Sequence, residues 1–151
     1  MFGVTRVIYL GHIIEDRGVM PLSKNIEGIK NMRSPKDEKE LQSFMGMINF
    51  YHRFIEAFAE IAAPLYDLLK DNTFRWLEIQ ERSFNKLKDN ICRKPILLCF
   101  DNDLEVILSV DASARGVREA LLQILDKEER PVIYFSRRFR PVEEHYSVIE
   151  N

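Results

Sequence analysis

The pattern of apolar and polar residues between Asp37 and Phe58 predicts a helix with one buried face. Apolar residues recur there at steps of three and four, the spacing that places side chains on one side of a helix. Asp37 can accept the backbone N–H three residues on, and Glu40 stands where the carboxylate of a capping box would reach back. The apolar residues predicted to be buried are Leu41, Phe44, Met45, Ile48, Tyr51, Ile55 and Phe58.

A second stripe on this helix has a different character, because Gln42, Gly46, Asn49 and Phe50 follow at steps of four, three and one. Glycine inside a helix costs about 1 kcal/mol relative to alanine, so we expect some close approach to the backbone at Gly46. The stripe could lie along the minor groove of a nucleic acid and touch sugars and base edges. Alternatively, Gly46 admits a neighbouring helix and Phe50 belongs to the core, which spacing alone favours.

The chain before this helix predicts a β-hairpin and a short helix. Residues 1–20 are rich in β-branched and aromatic side chains, interrupted by Gly11 and followed by a polar turn at 15–18, which is typical of a hairpin. If the hairpin is an edge element, Gly11 would lie at a β-bulge. Residues 21–34 predict a short helix with Ser23 as its N-cap.

Two more helices are predicted after the central one. Residues 60–71 have a helical apolar pattern in which Pro64 kinks or restarts the helix. Residues 78–93 repeat apolar side chains at three and four, and Trp76 before them is expected to anchor one helix on another.

Beyond a turn at 93–95 the pattern changes from helical to extended. Residues 104–110, 117–125 and 131–135 predict the three strands of a β-meander, and residues 141–151 predict a loop entering a helix. One face of such a sheet must be covered by another layer, so we expect the meander to be part of a larger domain.

Asp111 is a candidate metal ligand within this meander. It lies in the segment VILSVDASARG, after an apolar run and before a turn of small residues. An aspartate at the end of a strand can present its oxygens to Mg²⁺. The alternative is an Asx-turn that closes the strand, which is the commoner role on sequence alone.

Composition and charge limit the classes of function. The 151 residues are 46% hydrophobic and 30% charged with a formal net charge of −2, which is typical of one folded domain or two small ones. Residues 21–92 carry 11 basic and 11 acidic side chains, so a strong phosphate-binding surface is not predicted. Cys92 and Cys99 lack the spacing of a zinc site and favour a reducing compartment, cytoplasmic or nuclear. No apolar run reaches the ~20 residues of a membrane span, so no membrane partner is expected.

The central segment KELQSFMGMINFYHRFIEAFAEIAAPLYDLL resembles the thumb of reverse transcriptases from gypsy-type LTR retrotransposons and gammaretroviruses. That family reads E-L-x-x-F-L-G-x-x-N-F-Y-R-x-F-I and then F-A-x-I-A-x-P-L-x-x-L, and the match has no gap. In the family this helix follows the minor groove of the primer–template. The resemblance therefore implies that Gln42, Gly46, Asn49 and Phe50 contact nucleic acid, which reverses the interpretation that spacing alone favoured.

The hairpin carries a second part of the resemblance. V-I-Y-L-G-H is similar to the V-x-F-L-G-H that ends the palm of these enzymes, where the hairpin is the primer grip that positions the 3′ end of the primer. The resemblance implies this role for Tyr9, Leu10 and Gly11. In the family the Tyr-x-Asp-Asp polymerase motif precedes this point, and no Asp-Asp pair occurs in this sequence.

The last third of the chain resembles the start of the gypsy-type ribonuclease H domain. The motifs V-D-A-S-x-x-G and R-P-V-I-Y-F-S-R-R-F-x-P-x-E-x-x-Y-S fall between Ile107 and Ile149, and Asp111 matches the first metal-binding acid of the family. Ribonuclease H chemistry uses two Mg²⁺ ions about 4 Å apart, which several carboxylates must hold. By register the second acid would fall just past Asn151. We therefore expect Asp111 to be a vestigial catalytic acid, a metal ligand only in a complete parent domain, with no cofactor for this chain alone.

The second strand of the meander departs from this family. Where the family reads G-I-G-A-V-L, the chain has Gly116-Val117-Arg118-Glu119-Ala120-Leu121. Burying Arg118 and Glu119 unpaired would cost several kcal/mol, so either they pair at an open edge or this copy has decayed. The gammaretroviral connection domain is a third precedent, since it has a ribonuclease-H-like fold without the catalytic acids.

These observations predict an α+β protein with an N-terminal β-hairpin, a helical thumb bundle and a partial antiparallel sheet of ribonuclease-H-like fold. The predicted parts are the end of the palm (1–20), the thumb (21–94) and a truncated ribonuclease-H-like domain (95–151). We expect a fragment of a retrotransposon reverse transcriptase that helps to bind the primer–template, an RNA–DNA or DNA duplex, and is not active alone. Mg²⁺ would serve the parent enzyme, and the rest of the polyprotein is a further expected partner. The alternatives are a domesticated non-catalytic module that binds nucleic acid or protein, and a retroelement remnant without function.

Overall fold

The computed structural model describes residues 5–16, 18–71, 73–93, 95–113, 116–140 and 143. Within these residues the chain forms four α-helices and two three-stranded antiparallel sheets, with the helices between the sheets in sequence. The elements are β1 (Arg6–Tyr9), β2 (His12–Glu15), β3 (Gly18–Pro21), α1 (Ser23–Lys30), α2 (Glu38–Asn49), α3 (Phe58–Leu68), α4 (Glu78–Cys92), β4 (Val106–Ser113), β5 (Gly116–Leu125) and β6 (Glu128–Arg138).

The N-terminal element is a three-stranded sheet in the order β1-β2-β3, so the prediction of a hairpin was one strand short. Tyr9 pairs with His12, which leaves Leu10 and Gly11 as a two-residue turn. Their φ angles are 44° and 76°, as a type I′ turn requires. Gly11 therefore lies in the turn itself and not at the β-bulge that was considered for it.

Helix α2 begins as predicted. Asp37 is its N-cap, and the Asp37 Oδ1 atom accepts the backbone N–H of Glu40 at 2.8 Å. The Glu40 carboxylate instead accepts the backbone N–H of Lys36 at 2.9 Å, one residue before the expected capping-box position. At α1, by contrast, the predicted cap was wrong: Ser23 is the first helical residue, and Leu22 precedes it without a side-chain cap.

The prediction of one helix from Asp37 to Phe58 was wrong in its length. Helix α2 ends at Asn49, a 3₁₀ turn follows at His52–Phe54, and Ala57 adopts a left-handed φ of 55° before α3 begins. Five of the eight residues of this break are aromatic, histidine or β-branched, which are types of lower helix propensity, although the other three (Arg53, Glu56 and Ala57) favour helices. The seven apolar positions are nevertheless all buried, because a 3₁₀ turn keeps a spacing of three.

Helix α4 matches the prediction closely, and α3 begins two residues earlier and ends three residues earlier than predicted, with Pro64 inside it. Trp76 fixes the start of α4: its Nε1 atom donates to the Glu81 carboxylate at 2.6 Å, and its ring meets Phe84 edge-on. Ser34, from the segment before α2, donates to the same carboxylate at 2.7 Å. Glu81 therefore joins three parts of the helical region.

The first sheet and the helices share a core with the start of the last third of the chain. Leu97 is fully buried in the helical core, and it exchanges two backbone hydrogen bonds with Val19 of β3, at 2.7 and 2.9 Å. A Cβ atom on Gly18 would lie 2.1 Å from the Leu97 carbonyl oxygen, so only glycine permits this approach. The polypeptide just beyond 93–95 thus packs on the helices at Leu97, and it also bonds to the second sheet, where the Leu98 backbone N–H donates to the Pro131 carbonyl at 2.7 Å.

The second sheet has the predicted three strands, with longer bounds than predicted, in the order β4-β5-β6. The β5–β6 turn is again a two-residue turn, Asp126-Lys127, with positive φ angles at both residues. One face packs against α3, where Ser136 Oγ accepts the backbone N–H of Ala59 at 2.8 Å. The other face leaves large apolar side chains exposed, namely Val106, Leu108, Val110 and Phe135.

Replacing Glu81 by alanine is expected to lower the free energy of unfolding by about 2 kcal/mol, because charge-assisted hydrogen bonds from Ser34 and Trp76 are lost. These bonds lower the pKa of Glu81 from its ordinary value of 4.5, with the Trp76 bond as the largest cause. The stabilisation should therefore be present above pH 4.5 and disappear as the pH falls through the lowered pKa of the folded state.

Urea unfolding at pH 7 measures this loss. Glu78→Ala is the matched control, because Glu78 is an exposed helix carboxylate that pairs only with Arg82, and its removal should change stability by less than about 0.5 kcal/mol. Equal effects of the two substitutions would contradict the role of Glu81.

Candidate nucleic-acid interface

The structure brings the β1–β2 turn next to the end of α2. An added Cβ atom on Gly11 would lie 3.5 Å from Cε1 of Phe50 and 3.1 Å from Nδ2 of Asn25. Asn25 in turn donates to the Tyr51 hydroxyl at 2.9 Å, which ties α1 to the residue after Phe50. The positive φ favours glycine at this position, and a larger side chain there would also have to displace the Asn25 amide.

The residues around this contact form an open apolar groove of about 690 Å³ between the turn, α1 and α2. Sequence reasoning predicted the turn and Phe50 but not the α1 side of the groove. Its missed residues follow from the packing of α1 beside α2, for which the local sequence offers no signal. On α1 they are Lys24, Asn25 and Gly28, and Met47 of α2 was missed as well.

The second stripe of α2 faces outward along its length. Gln42, Gly46 and Asn49 are all exposed, and a Cβ atom on Gly46 would meet nothing within 4 Å. No described part of the chain therefore packs on Gly46, so the neighbouring-helix interpretation finds no partner among the described residues. The Gln42 amide donates to Glu38 one turn earlier, at 2.9 Å, and the Gln42 side chain is otherwise exposed to solvent.

The turn and the stripe make one exposed surface, which we term the turn–helix surface. Its apolar members are unusually accessible: Tyr9 is 61%, Leu10 69% and Phe50 50% exposed. Contiguous exposed apolar side chains of this kind mark binding sites more often than chance. The surface consists of Tyr9, Leu10, Gly11, Gln42, Gly46, Asn49 and Phe50.

Beneath this surface lies His12, a residue that sequence reasoning left without a role. Burial of its ring and the nearby Arg53 guanidinium lower the pKa of His12 from its ordinary value of 6.5, while hydrogen bonding to the backbone of Leu10 and Tyr9 acts in the opposite direction. At neutral pH the imidazole is therefore uncharged, and the folded chain resists its protonation.

Asp111 lies apart from the turn–helix surface, within β4 rather than at its end. It pairs in register with Arg118 of β5, and the Arg118 Nη2 atom lies 3.3 Å from Asp111 Oδ2. The Nε atom of the same guanidinium lies 3.6 Å from Glu60 Oε2 on α3. The Asx-turn alternative was therefore wrong, and Arg118 does not pair with Glu119, which points to the other face of the sheet because successive side chains alternate.

The surroundings of Asp111 do not fit a two-metal site. The Arg118 guanidinium lies beside one oxygen of the exposed Asp111 carboxylate, and the described residues hold no group of three or more acidic, histidine or cysteine side chains placed to bind a metal. Two Mg²⁺ ions need several carboxylates.

Among the described residues no helix is long and apolar enough to cross a membrane.

Comparison with known proteins gives the family. Residues 76–151, half of the chain, match the family described as the RNase H-like domain found in reverse transcriptase. The chain belongs to this family, whose enzymes generally use divalent metal ions.

Relatives extend the similarity to almost the whole chain. The Transposon Tf2-3 polyprotein of Schizosaccharomyces pombe is 31% identical over 149 residues, which cover 97% of this chain and 11% of that polyprotein. A foamy viral protease–reverse transcriptase solved in complex with dsDNA is 26% identical with a TM-score of 0.81, covering 95% of this chain and 30% of that one. The same enzyme solved with an RNA/DNA hybrid is 27% identical with a TM-score of 0.79, over 95% and 20% of the two chains.

These similarities confirm the relation to the reverse transcriptase and ribonuclease H region of LTR-retrotransposon polyproteins, and they confirm the α+β fold class. The chain spans about a tenth of its curated relative and less than a third of the solved enzymes. The gypsy subtype, the thumb assignment, the domain bounds and the site residues stay predictions.

The free energy of unfolding is expected to fall as the pH drops below 6.5 through a contribution from His12. In that range the unfolded chain binds a proton at His12 more readily than the folded chain does, so protonation favours unfolding. The stabilisation is complete above pH 6.5 and is lost as the pH falls towards the lowered pKa.

Urea unfolding of the wild type and of His12→Phe between pH 7.5 and 5.5 isolates this contribution, since the variant should show a shallower dependence on pH. Leu77→Phe is the control and should keep the wild-type slope, because Leu77 is an exposed position that carries no titratable group. If the free energy of unfolding of His12→Phe depended on pH as steeply as that of the wild type, the expectation would be contradicted.

Proposed function

We propose that this chain is part of a retrotransposon reverse transcriptase and contributes the binding of the primer–template duplex through the turn–helix surface. In this proposal residues 1–20 end the palm with the primer grip, 21–94 are the thumb, and 95–151 begin the ribonuclease-H-like domain. The observation that carries the proposal is the open space over Gly46, between exposed amides and next to Phe50 and the β1–β2 turn.

The chemistry of the surface suits the minor groove of a duplex. Gln42 and Asn49 present amides that can both donate to and accept from base edges and sugars, and Gly46 lets the helix backbone approach closely. Tyr9, Leu10 and Phe50 offer apolar contact to sugar rings. Such contacts recognise the shape of a duplex rather than its sequence.

Two observations support a duplex as the ligand. Solved enzymes similar to 95% of this chain were captured with dsDNA and with an RNA/DNA hybrid. The seven residues of the surface also include no carboxylate, and the one carboxylate bonded to them among the described residues is that of Glu38, which accepts from Gln42 at the end of the surface away from the turn. Lys24 at the rim of the groove adds one positive charge.

Replacing Gly46 by leucine is expected to stabilise the chain and weaken its binding. The helix gains up to about 1 kcal/mol from better propensity, because the new side chain enters open space. Binding to an RNA–DNA hybrid should fall by about tenfold or more, since the side chain keeps the backbone away from the groove.

Urea unfolding and fluorescence anisotropy with a labelled hybrid measure the two effects, at several salt concentrations because duplex binding weakens with salt. Asn85→Leu is the control, an exposed position on α4 outside the surface. Unchanged hybrid affinity of Gly46→Leu would refute the proposed surface.

A pair of amide substitutions refines this test. Gln42 and Asn85 each donate to a glutamate one turn earlier in their helices, at 2.9 and 3.0 Å. Gln42→Ala and Asn85→Ala should therefore cost similar, small amounts of stability. Only Gln42→Ala should weaken hybrid binding, because only Gln42 lies on the turn–helix surface.

No ribonuclease H or polymerase activity is expected from this chain with Mg²⁺. Asp111 is engaged by Arg118, and the other acids of a two-metal site are lacking among the described residues. Incubation with a labelled RNA–DNA hybrid, Mg²⁺ and nucleotides should leave both strands unchanged, as should the Asp111→Asn variant. Metal-dependent cleavage that Asp111→Asn abolishes would refute this expectation.

A second candidate function is that of a non-catalytic module that binds protein. The observation in its favour is the exposed apolar face of the second sheet, on which Leu108 is 66% exposed. Weaker binding of an RNA–DNA hybrid by Gly46→Leu would favour the primer–template function over protein binding. Aggregation without any hybrid binding would instead favour a remnant without function.

A further inference from the structure

The ring of His12 is the side chain that joins the β1–β2 turn to the end of α2. Its centroid lies 5.0 Å from that of Phe50, with the planes inclined by 31°, and 5.5 Å from that of Phe54, with the planes nearly parallel. Tyr51 meets the same ring edge-on at 5.9 Å. His12 thus lies between two aromatic rings, of which Phe54 is buried and Phe50 is half exposed.

The polar atoms of the imidazole are divided between two environments. On one side of the ring the backbone of Leu10 in the turn and of Tyr9 before it raises the pKa of His12, against the larger effect of burial. The Nε2 atom is buried without a hydrogen-bond partner among the described residues. The ring therefore acts here through its aromatic contacts, since its Nε2 atom makes no hydrogen bond among the described residues.

Phe50 needs such support because of its position. It is the first residue after the last regular turn of α2, so the helix fixes its backbone but not its half-exposed ring. Its contacts with His12 and with Tyr51 at 5.0 Å hold the ring on the side facing Gly11. Without the His12 ring, Phe50 would have to be ordered when a duplex binds, which lowers affinity.

We propose that His12 is a positioning residue that holds the Phe50 ring against the β1–β2 turn, so that a duplex meets the turn and the helix as one preformed surface. This inference rests on the proposed function, since it assigns to His12 the preorganisation of the same surface. His12 does not contact the duplex and acts through Phe50.

A double-mutant cycle tests the coupling in hybrid binding. His12→Asn removes the ring but keeps an N–H donor near the turn, and it should weaken binding by about tenfold. In a Phe50→Ala background the same substitution should cause less than a twofold further loss, because the ring that it positions is gone. Losses that multiply in the double variant, or wild-type affinity of His12→Asn, would overturn the proposal.

His12→Phe supplies the conservative rescue. It restores an aromatic ring between Phe50 and Phe54 and should recover most of the affinity lost in His12→Asn. Far-UV circular dichroism and urea unfolding of each variant confirm that the chain is folded. A folded His12→Phe variant that binds as weakly as His12→Asn would show that the ring does not act by stacking on Phe50, and the proposal would fall.

A measurement without nucleic acid separates this inference from the proposed function. In NMR spectra the Phe50 ring resonances of His12→Asn should move towards those of a mobile, exposed ring, while those of the buried Phe84 should not move. Unmoved Phe50 resonances would refute the positioning role even if the hybrid binds. Moved resonances in a chain that does not bind the hybrid would retain the positioning role and refute the proposed function.

Discussion

The break between α2 and α3 is the constraint on which the rest of the structure depends. Tyr51, Phe54 and Ile55 are all buried in the core. A straight α-helix through these residues would not let the chain change direction into α3. The chain therefore ends α2 at Asn49 and passes through a 3₁₀ turn and a left-handed Ala57. This break leaves Phe50 outside the core, where it meets the β1–β2 turn.

Hydrophobic periodicity predicted which residues are buried more accurately than it predicted the backbone conformation of those residues. All seven apolar positions from Leu41 to Phe58 are buried, because steps of three and four suit both an α-helix and a 3₁₀ turn. The break itself was missed, since the pattern is the same on both sides of it. Helix α4 was predicted almost to the residue because its period runs uninterrupted from Glu78 to Cys92.

The two parts of the candidate site, the β1–β2 turn and the stripe on α2, were predicted separately, and the fold brings them next to each other. Family resemblance identified the turn and the α2 stripe separately, but Gly11 and Phe50 are far apart in sequence and no local pattern brings them together. His12 directly follows the turn motif, and a ring that stacks on two aromatic side chains from a later segment has no periodicity of its own. Asn25 was missed for the same reason, because its bond to Tyr51 depends on how α1 packs.

The second sheet is attached to the helices by polar contacts together with Tyr134 of β6, which packs against the helical core. Arg118 lies between Asp111 and Glu60, Arg138 pairs with Asp67 at 2.8 Å, and these charged groups are partly exposed. Exposed ion pairs contribute about 0–1 kcal/mol each, so this junction is weaker than the helical core. Arg118 thus makes Asp111 part of the junction, and the turn–helix surface includes none of these residues.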